Sequence, residues 1–346
     1  MTQDIKIKIS NLTKIFGPQA KSVIKHVENG MSKDDLLRKH KHVLGLSNIN
    51  LNLKNKNIEV IMGLSGSGKS TLIRHINRLI EPTTGSITID GEDVIQMSLE
   101  QLRRFRQQKT AMVFQSFALL PHKTVMDNVC YGIHLQGITG EEAEKRAQRW
   151  IDRVGLDGYE DRYPSQLSGG MQQRVGLARA LTCDTEILMM DEAFSALDPL
   201  IRSDMQDLLL ELQSELHKTV IFITHDLDEA LKIGDQIAIL NAGELIQHGS
   251  PQDILMHPAD DYVKDFVKKV NRSHVLHAES VMINDKPSEA STSVIVKESD
   301  TIDNVLCELL RSDADYAVVR NESGSDTGYL TKHCIAQVVK PVVNDS

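Results

Sequence analysis

The stretch that decides the fold lies at positions 63–70 and reads Gly63-Leu64-Ser65-Gly66-Ser67-Gly68-Lys69-Ser70. It fits the pattern G-x-x-x-x-G-K-[ST], in which glycines let the backbone curl so that successive N–H groups point at phosphate oxygens. An apolar strand at 58–62 runs into it, and a helix-like segment at 71–79 follows, whose positive N-terminal end favours the same anion. The stretch therefore predicts a nucleoside triphosphate site in an α/β fold.

Three side chains at the end of this loop have the chemistry that a magnesium nucleotide requires. Lys69 would neutralise the β- and γ-phosphates, and the Ser70 hydroxyl would ligate Mg²⁺. Thr71 would add a hydrogen-bond donor beside them. The alternative is a chance match in a Gly/Ser turn, which the strand before the loop and the helix after it disfavour.

A pair of carboxylates, Asp191 and Glu192, ends a second apolar strand at 187–190. Buried parallel strands deliver their last residues to one edge of the sheet, where such folds bind ligands. We therefore expect Asp191 to hold Mg²⁺ through water, and Glu192 to polarise the attacking water as general base or orienting group. The alternative is a solvated pair of acids, which the presence of a phosphate loop disfavours.

Two more polar side chains follow apolar strands of the same kind. Gln115 comes after the strand at 111–114, where its amide would ligate Mg²⁺ and touch the water. His225 comes after the strand at 220–224, where it would sense the γ-phosphate. An isolated histidine at a strand end is more often structural, so both interpretations of His225 stay open.

The chain around these residues alternates short apolar strands with amphipathic helices, the latter predicted at 141–154 and 204–216. This alternation favours a mostly parallel sheet covered on both faces. Alternating isoleucines at 5–9 indicate a half-buried opening strand, and Asn-Ala-Gly within 235–247 indicates a closing hairpin. We therefore predict an α/β fold.

The composition narrows the class of protein further. The chain has 346 residues with 40% apolar and 25% charged side chains, which is ordinary for a soluble globular protein of about two domains. Its formal charge of −9 argues against a nucleic-acid partner, because such proteins show a basic excess. The four cysteines lack CxxC spacing, which predicts free thiols. We find neither a signal peptide nor an apolar run of about 18 residues, so if the protein works at a membrane, other chains must carry it there.

A second glycine-rich segment narrows the family, and it reads Leu167-Ser168-Gly169-Gly170-Met171-Gln172-Gln173-Arg174. It resembles the LSGGQ signature of ABC ATPases, with Met171 in place of the usual glutamine. Ser168, Gly169 and Gly170 open a predicted helix and make a second anion site. One chain cannot bring both anion sites to the same phosphate. The resemblance therefore implies a homodimer with two composite ATP sites, opened and closed by ATP turnover.

Other motifs match the family in the expected order. Phe16 falls where the family has an aromatic ring that stacks on adenine, and Gln115 falls in the Q-loop. The segment 195–198 matches the D-loop, whose Asp198 would lie by the nucleotide at the dimer interface. Thr224 and His225 match the H-loop. The resemblance implies that Glu192, His225, Gln115 and Lys69 are catalytic, and that ATP and Mg²⁺ are the cofactors.

The resemblance also implies an architecture. Residues 1–270 would form a P-loop NTPase domain of the ABC type, with a mostly parallel sheet, an antiparallel β subdomain and a helical subdomain at about 116–180. A helical insertion rich in lysine and histidine is predicted at 19–44, either as a solvated face or with a binding role of its own. The segment 117–122 would contact a helix of the membrane subunit or, equally, pack in the core.

A narrower resemblance links four segments to the ATPase subunits of glycine betaine/proline importers. They read MGLSGSGKST at 62–71, NRLIEPT at 77–83, MVFQSFALLPH at 112–122 and DEAFSALDPLIR at 191–202. The insertion at 19–44 is also typical of that group. This resemblance implies ATP-driven uptake of glycine betaine, proline betaine, choline or a related quaternary amine at the cytoplasmic face of the inner membrane. The implied partners are transmembrane permease subunits and, through them, a periplasmic or extracellular substrate-binding protein.

The tail shifts in composition, which predicts a linker near 270–280 and a small βαββα domain in 271–346. Its segments 301–311, 316–320 and 329–339 resemble a single CBS unit. The tail would therefore pair with the tail of a second subunit and bind a nucleotide or respond to ionic conditions. The alternative is a tail with a structural role only.

Three alternative functions remain for the whole chain. It could energise transport of another small molecule, or it could be a non-transport ABC protein, although those carry long coiled coils or two cassettes. A regulatory module without turnover is disfavoured by the intact Lys69, Asp191, Glu192 and His225.

Overall fold

The computed structural model describes residues 4–268, 270–287 and 292–339. The chain divides into two compact units, one ending at His248 and the other beginning at Gly249. This division lies earlier than the boundary that the composition indicated at 270, and it falls one residue before the end of the strand Glu244–Gly249.

The secondary structure of the first unit follows the predicted alternation. Its strands are β1 (Ile5–Phe16), β2 (Val43–Lys54), β3 (Ile58–Met62), β4 (Thr84–Ile89), β5 (Glu92–Asp93), β6 (Thr110–Phe114), β7 (Ile187–Asp191), β8 (Thr219–Thr224), β9 (Gln236–Asn241) and β10 (Glu244–Gly249). Its helices are α1 (Ile24–Glu28), α2 (Lys33–His40), α3 (Lys69–Ile76), α4 (Leu99–Gln108), α5 (Val125–Leu135), α6 (Glu141–Arg153), α7 (Gly169–Thr182), α8 (Pro199–Leu216) and α9 (Leu227–Ile233).

The start of α8 differs from the prediction. The apolar stripe placed the helix at 204–216, whereas it begins at Pro199. Asp198 caps it by accepting a hydrogen bond from the Ile201 N–H at 3.1 Å, and proline is well suited to the first helical position. The cap and the proline set the start, and the periodicity becomes visible only further along the helix.

The central sheet has the order β10-β9-β3-β8-β7-β6, and the contacts from β9 to β6 are parallel. Every residue of β3, β7 and β8 is buried, as expected for strands covered on both faces. The β9–β10 turn places Ala242 and Gly243 at positive φ, 50° and 92°, which suits the twist of a tight hairpin. The mostly parallel sheet is thus confirmed.

An antiparallel sheet with the order β2-β1-β4-β5 packs on the same core. Alternate residues of β1, including Ile7 and Ile9, join Ile61 and Ile223 of the central sheet in one buried apolar cluster. Leu72 of α3 also belongs to this cluster, so the helix that follows the phosphate loop lies between the two sheets.

A separate apolar cluster holds α5, α6 and α7 together, in the region where we predicted a helical subdomain. Its buried members include Val129, Ala147 and Val175, one from each helix. The insertion between β1 and β2 has a small core of its own, in which Val23 and Leu36 contact Ile15 and Leu44. Ser32 caps α2 by accepting from the Asp35 N–H at 3.2 Å, as the sequence predicted.

The second unit has its own three-stranded sheet, with the order β11-β12-β13. Its elements are α10 (Pro251–Met256), α11 (Asp261–Val267), α12 (Ala278–Val281), β11 (Ser293–Lys297), α13 (Ile302–Arg311), β12 (Tyr316–Arg320), β13 (Asp326–Thr331) and α14 (Lys332–Val339). From β11 onward the order is the predicted βαββα. The segment 270–280 differs from a linker, because Leu276 and Ala278 are fully buried and their backbones form hydrogen bonds with Ile302 and Asp300. The CBS assignment stays a prediction.

Two further features of the structure concern the cysteines and the length of the helices. All four cysteines are unpaired thiols. Among the described residues, no helix combines the length and the apolar character that crossing a bilayer demands.

Candidate nucleotide-binding site

The carboxyl ends of β3, β8, β7 and β6 lie side by side in the central sheet. The phosphate loop at 63–70 follows β3, and His225 follows β8. Glu192 follows β7, and Gln115 follows β6. Four segments that are far apart in sequence therefore meet at one edge, which is the geometry that the sequence predicted.

Two glycines of the loop are required by close backbone approach. A Cβ at Gly63, where φ is 147°, would lie 2.1 Å from the Leu240 carbonyl oxygen. A Cβ at Gly68, where φ is 106°, would lie 2.8 Å from the Gly45 carbonyl oxygen. The third loop glycine, Gly66, has a φ of 79° but open space around it. Neighbouring backbone thus approaches both ends of the loop closely, whereas a Cβ at Gly66 in its outer turn would meet nothing within 4 Å.

The Lys69 ammonium group lies inside the loop. Its side chain is only 5% exposed, and its Nζ donates to the carbonyl oxygens of Gly63 at 2.9 Å and Leu64 at 3.3 Å. The same Nζ is 3.6 Å from Glu192 Oε1. A buried cation held by loop carbonyls and one carboxylate is suited to an anionic ligand.

Hard oxygen donors for a magnesium ion lie next to this lysine. The Ser70 hydroxyl donates to Asp191 Oδ1 at 2.8 Å, which brings the two predicted ligands together. Arg74 Nη2 lies 3.5 Å from the other carboxylate oxygen of Asp191. Buried Ser67 Oγ has no hydrogen-bond partner within the described part of the protein. A hydroxyl, a carboxylate and an unsatisfied loop hydroxyl fit a Mg²⁺–phosphate group.

Glu192 is the centre of the second half of the site. Its Oε2 is 3.3 Å from Gln115 Nε2 and 3.6 Å from His225 Nδ1. Its backbone has a φ of 47°, which is uncommon for a residue other than glycine. Its N–H donates to the Ile223 carbonyl at 3.1 Å, and this bond holds the strained turn. Such backbone conformations cluster at functional sites.

Ser195 completes this cluster and was not singled out for it by the sequence. Its hydroxyl donates to the Glu192 carbonyl at 2.9 Å and lies 3.3 Å from Gln115 Nε2. The D-loop serine therefore ties the turn after β7 to the Q-loop side chain, so that the three residues form one hydrogen-bonded group.

Arg202 joins the D-loop to the H-loop, and sequence reasoning missed it. Its Nη2 donates to the Leu197 carbonyl at 3.3 Å, and its Nη1 is 3.2 Å from Asp226 Oδ2. Asp226 directly follows His225. The Glu229 N–H donates to the other carboxylate oxygen of Asp226 at 3.2 Å. Burial raises the pKa of the Glu229 carboxyl itself. The turn after β8 is thus fixed from two sides.

The signature residues begin α7, as predicted. The Ser168 hydroxyl caps the helix by accepting from the Met171 N–H at 3.3 Å. The helix itself starts at Gly169. A Cβ at Gly170 would lie 2.7 Å from Ile201 Cγ2, so this glycine is required by the contact between α7 and α8.

Phe16 lies at the end of β1 beside the phosphate loop. Its ring is 39% exposed, and Lys14 Nζ is 5.0 Å from the ring centroid. A Cβ at Gly45 would lie 2.6 Å from the Phe16 ring, while the Gly45 carbonyl approaches Gly68. The exposed Phe16 ring therefore lies next to Gly45, which in turn contacts the phosphate loop at Gly68. Stacking of this ring on adenine stays a prediction.

The fold matches known ATP-binding cassettes. The family model for ABC transporters matches residues 46–195. A dimeric structure of the ATP-binding cassette MJ0796 in a post-hydrolysis state with ADP and Pi superposes with a TM-score of 0.61 and 32% identity, covering 71% of this chain and 98% of that one. The cassette cbiO1 of Clostridium perfringens gives 0.61 at 26% identity, over 77% and 95%. The fold and the site thus define an ABC-type, P-loop ATP-binding cassette, and this predicted fold class is confirmed.

The curated relatives define the family more narrowly. The chain is 54% identical over 278 residues to the glycine betaine transport ATP-binding protein OpuAA of Bacillus subtilis, covering 80% of this chain and 66% of that protein. It is 52% identical to the glycine betaine/proline betaine protein ProV of Escherichia coli, over 80% and 69%. It is 43% identical to the trimethylamine N-oxide protein TmoW of Pelagibacter ubique, over 91% and 92%. The matched part thus spans about two thirds of OpuAA and ProV. The chain belongs to the family of ABC transporter ATP-binding proteins, and the predicted resemblance to the glycine betaine group is confirmed.

Proposed function

We propose that this chain is the ATP-binding and ATP-hydrolysing subunit of an importer for glycine betaine, proline betaine, choline or a related quaternary amine. The observation that carries the proposal is the convergence of Lys69, Asp191 and Glu192 at the edge of one parallel sheet. The names of the curated relatives support the substrate class, because they include glycine betaine, trimethylamine N-oxide and choline, all of which carry a fully substituted nitrogen.

ATP and Mg²⁺ fit the donors of this site. The Ser70 hydroxyl and the Asp191 carboxylate would hold Mg²⁺, with the Gln115 amide oxygen as a further ligand. The ion, when bound, neutralises charge on the β- and γ-phosphates. Lys69 would turn from the loop carbonyls to the phosphates, and the loop N–H groups would bind the remaining oxygens.

Glu192 would act on the water that attacks the γ-phosphate. Its carboxylate would accept a proton from that water or orient it. Gln115 and His225 contact the same oxygen of the Glu192 carboxylate, so they would orient this carboxylate before ATP binds. Once ATP is bound, the same two side chains would turn to the phosphate. Because the turn at Glu192 is held by backbone bonds to Ile223 and Ser195, the carboxylate is positioned before the nucleotide binds.

The second half of each site would come from another copy of the chain. The N-terminus of α7, with Ser168, Gly169 and Gly170, would bind the γ-phosphate held by the phosphate loop of the partner. Asp198 lies in the D-loop, and Leu200 beside it is 73% exposed, which suits a surface that is covered on dimerisation. The dimeric state named for the superposed cassette supports this arrangement.

A groove in the first unit would receive a helix of the permease. It has a volume of about 710 Å³ and lies between α4, β6, α5 and α7. Its lining is mostly apolar with arginines among it, and includes Leu99, Leu102, Arg103, Phe114, Ala118, Tyr131 and Arg179. Such a groove suits an amphipathic helix. Ala118 and Phe114 flank the Q-loop, so docking there would reach Gln115. The protein would then work at the cytoplasmic face of the membrane, with a substrate-binding protein acting through the permease.

The test of turnover is Glu192→Gln beside the wild-type chain, in the whole protein with Mg-ATP. We expect the wild type to hydrolyse ATP, and the variant to lose at least about 100-fold in kcat while accumulating an ATP-dependent dimer. Glu92→Gln, at an exposed glutamate on β5, is the matched control and should behave as wild type. Hydrolysis by the Glu192→Gln variant at the wild-type rate would contradict the assigned role. Uptake of labelled glycine betaine by the reconstituted transporter tests the substrate class.

A further inference from the structure

The insertion at 19–44 connects two strands that meet beside the nucleotide site. Phe16, the last residue of β1, pairs with Val43, the first residue of β2. The insertion therefore leaves the sheet at the exposed aromatic ring and returns to the same place. Nothing in the proposed function uses this segment.

One end of the insertion is fixed next to Phe16. The His42 ring is 8% exposed and packs on Gly17, where a Cβ would lie 2.4 Å from the ring. Its Nδ1 is 2.6 Å from the His40 carbonyl oxygen, and its Nε2 is 2.7 Å from that of Pro18. The histidine thus closes the base of the insertion.

The middle of the insertion reaches the phosphate loop. Lys33, the first residue of α2, directs its Nζ to the Gly66 carbonyl oxygen at 3.4 Å. Gly66 lies in the outer turn of the loop, where the Ser67 N–H donates to the Leu64 carbonyl at 3.1 Å. Because α2 is held by its Ser32 cap and its own apolar core, the lysine approaches from a fixed helix.

The charge of the insertion suits a polyphosphate ligand. It carries more basic than acidic side chains, in a chain whose formal charge is −9. The basic residues are Lys21, Lys25, Lys33, Arg38, Lys39 and Lys41, against Glu28, Asp34 and Asp35. Of these, Lys33 has a hydrogen bond to the phosphate loop.

We infer that the insertion spans the nucleotide site from the aromatic ring to the phosphate loop, and that Lys33 is a positioning residue that slows nucleotide release. The inference rests on the proposed nucleotide site. In this proposal the outer turn of the loop opens when the nucleotide leaves, and a Cβ built at Gly66 in this turn meets nothing within 4 Å. The lysine adds a hydrogen bond that must break for the turn to open. It contacts the loop carbonyl from outside, so its effect is the same for ADP and ATP.

The test measures dissociation of fluorescent ADP and of a fluorescent, non-hydrolysable ATP analogue from the whole chain by stopped flow. For Lys33→Met we expect both dissociation rates to rise by the same factor, about fivefold, since one hydrogen bond to a charged group is lost. The single-turnover hydrolysis rate at saturating ATP should be unchanged. Lys33→Arg keeps a donor and should restore the wild-type rates. Lys25→Met, on an exposed lysine of the same insertion, is the control and should have no effect.

Three outcomes would overturn the inference. They are wild-type dissociation rates in Lys33→Met, a change confined to the ATP analogue, and an equal acceleration in Lys25→Met. Thermal unfolding of each variant shows whether α2 remains folded. If the wild-type chain itself binds neither nucleotide, the proposed function fails, and the two failures are thereby distinguished.

Discussion

The phosphate loop and the signature segment both place a glycine-rich turn before a helix, yet the two helix ends are built differently. At α3 the capping residue is Gly68, with a φ of 106°, and no side chain caps the helix. At α7 the Ser168 hydroxyl accepts from the Met171 N–H and satisfies a donor of the first turn. A helix end without a side-chain cap gains more from an anion than a capped one. We therefore expect the phosphate loop to bind the nucleotide first, and the signature to contribute once two chains meet.

The largest effect should come from the backbone of the phosphate loop. Gly63→Ala would put a Cβ 2.1 Å from the Leu240 carbonyl, so we expect a destabilisation of more than about 3 kcal/mol and loss of nucleotide binding. Gly66→Ala is the matched control, since it has a similar requirement for positive φ but open space, and should cost about 1 kcal/mol. Thermal unfolding and nucleotide titration measure both. Equal effects of the two substitutions would show that steric contact does not set the loop.

A smaller and more selective effect is expected at the signature. Ser168→Ala removes the α7 cap, at a cost of about 1 kcal/mol, and should lower the steady-state ATPase rate roughly tenfold without changing the affinity of the monomer for ATP. Ser98→Ala removes the equivalent cap from α4, where Ser98 accepts from the Gln101 N–H, and should leave turnover unchanged. If Ser168→Ala weakened monomeric ATP binding, the two helix ends would not have the separate roles that their caps indicate.

The smallest effect concerns the ion pairs of Glu186, the residue before β7, with Lys6 and Lys109. Hydrogen bonds from Lys109, at 2.6 Å, and from Lys6 lower the pKa of Glu186 from 4.5 to about 2. A depressed pKa means that this carboxylate stabilises the fold above about pH 4.5 and loses that contribution as the pH falls towards 2. Glu186→Gln should therefore be slightly less stable at neutral pH and show a shallower loss of stability in acid. Glu92→Gln, measured by the same acid titration of unfolding, should follow the wild type.

The sequence predicted the parts of the molecule that local patterns determine. The strand at 58–62 has the predicted bounds, because five consecutive apolar or buried residues run directly into a glycine loop. The helix at 141–154 ends one residue early, and α8 begins before its apolar stripe, because a cap and a proline rather than periodicity set its start. The change in composition around 270–280 predicts a linker there, but it does not reveal that Leu276 and Ala278 are buried.

The residues that sequence reasoning missed make contacts over long separations in the chain. Arg74 reaches Asp191 from the helix after the phosphate loop, and Lys33 reaches Gly66 from the insertion, but the motifs assign neither side chain to the site. Arg202 belongs to a segment that was quoted for its resemblance, but its bond to the Leu197 carbonyl depends on how α8 begins. Motif spacing identifies the side chains that would touch the ligand, whereas the residues that position them become visible only once the sheet order is known.

The order of the central sheet has a consequence for synthesis of the chain. The phosphate loop emerges from the ribosome early, but its strand β3 lies between β8 and β9, which are both made much later. The hairpin turn that follows β9 also holds the loop, since the Gly243 N–H donates to the Ser67 carbonyl at 3.0 Å. A nascent chain that ends before β8 therefore has the complete nucleotide-binding motif without the two strands that flank β3 in the finished sheet. Until β8 and β9 have been added, both edges of β3 lack their neighbours, and unpaired strand edges in a partial chain are prone to pair with other chains.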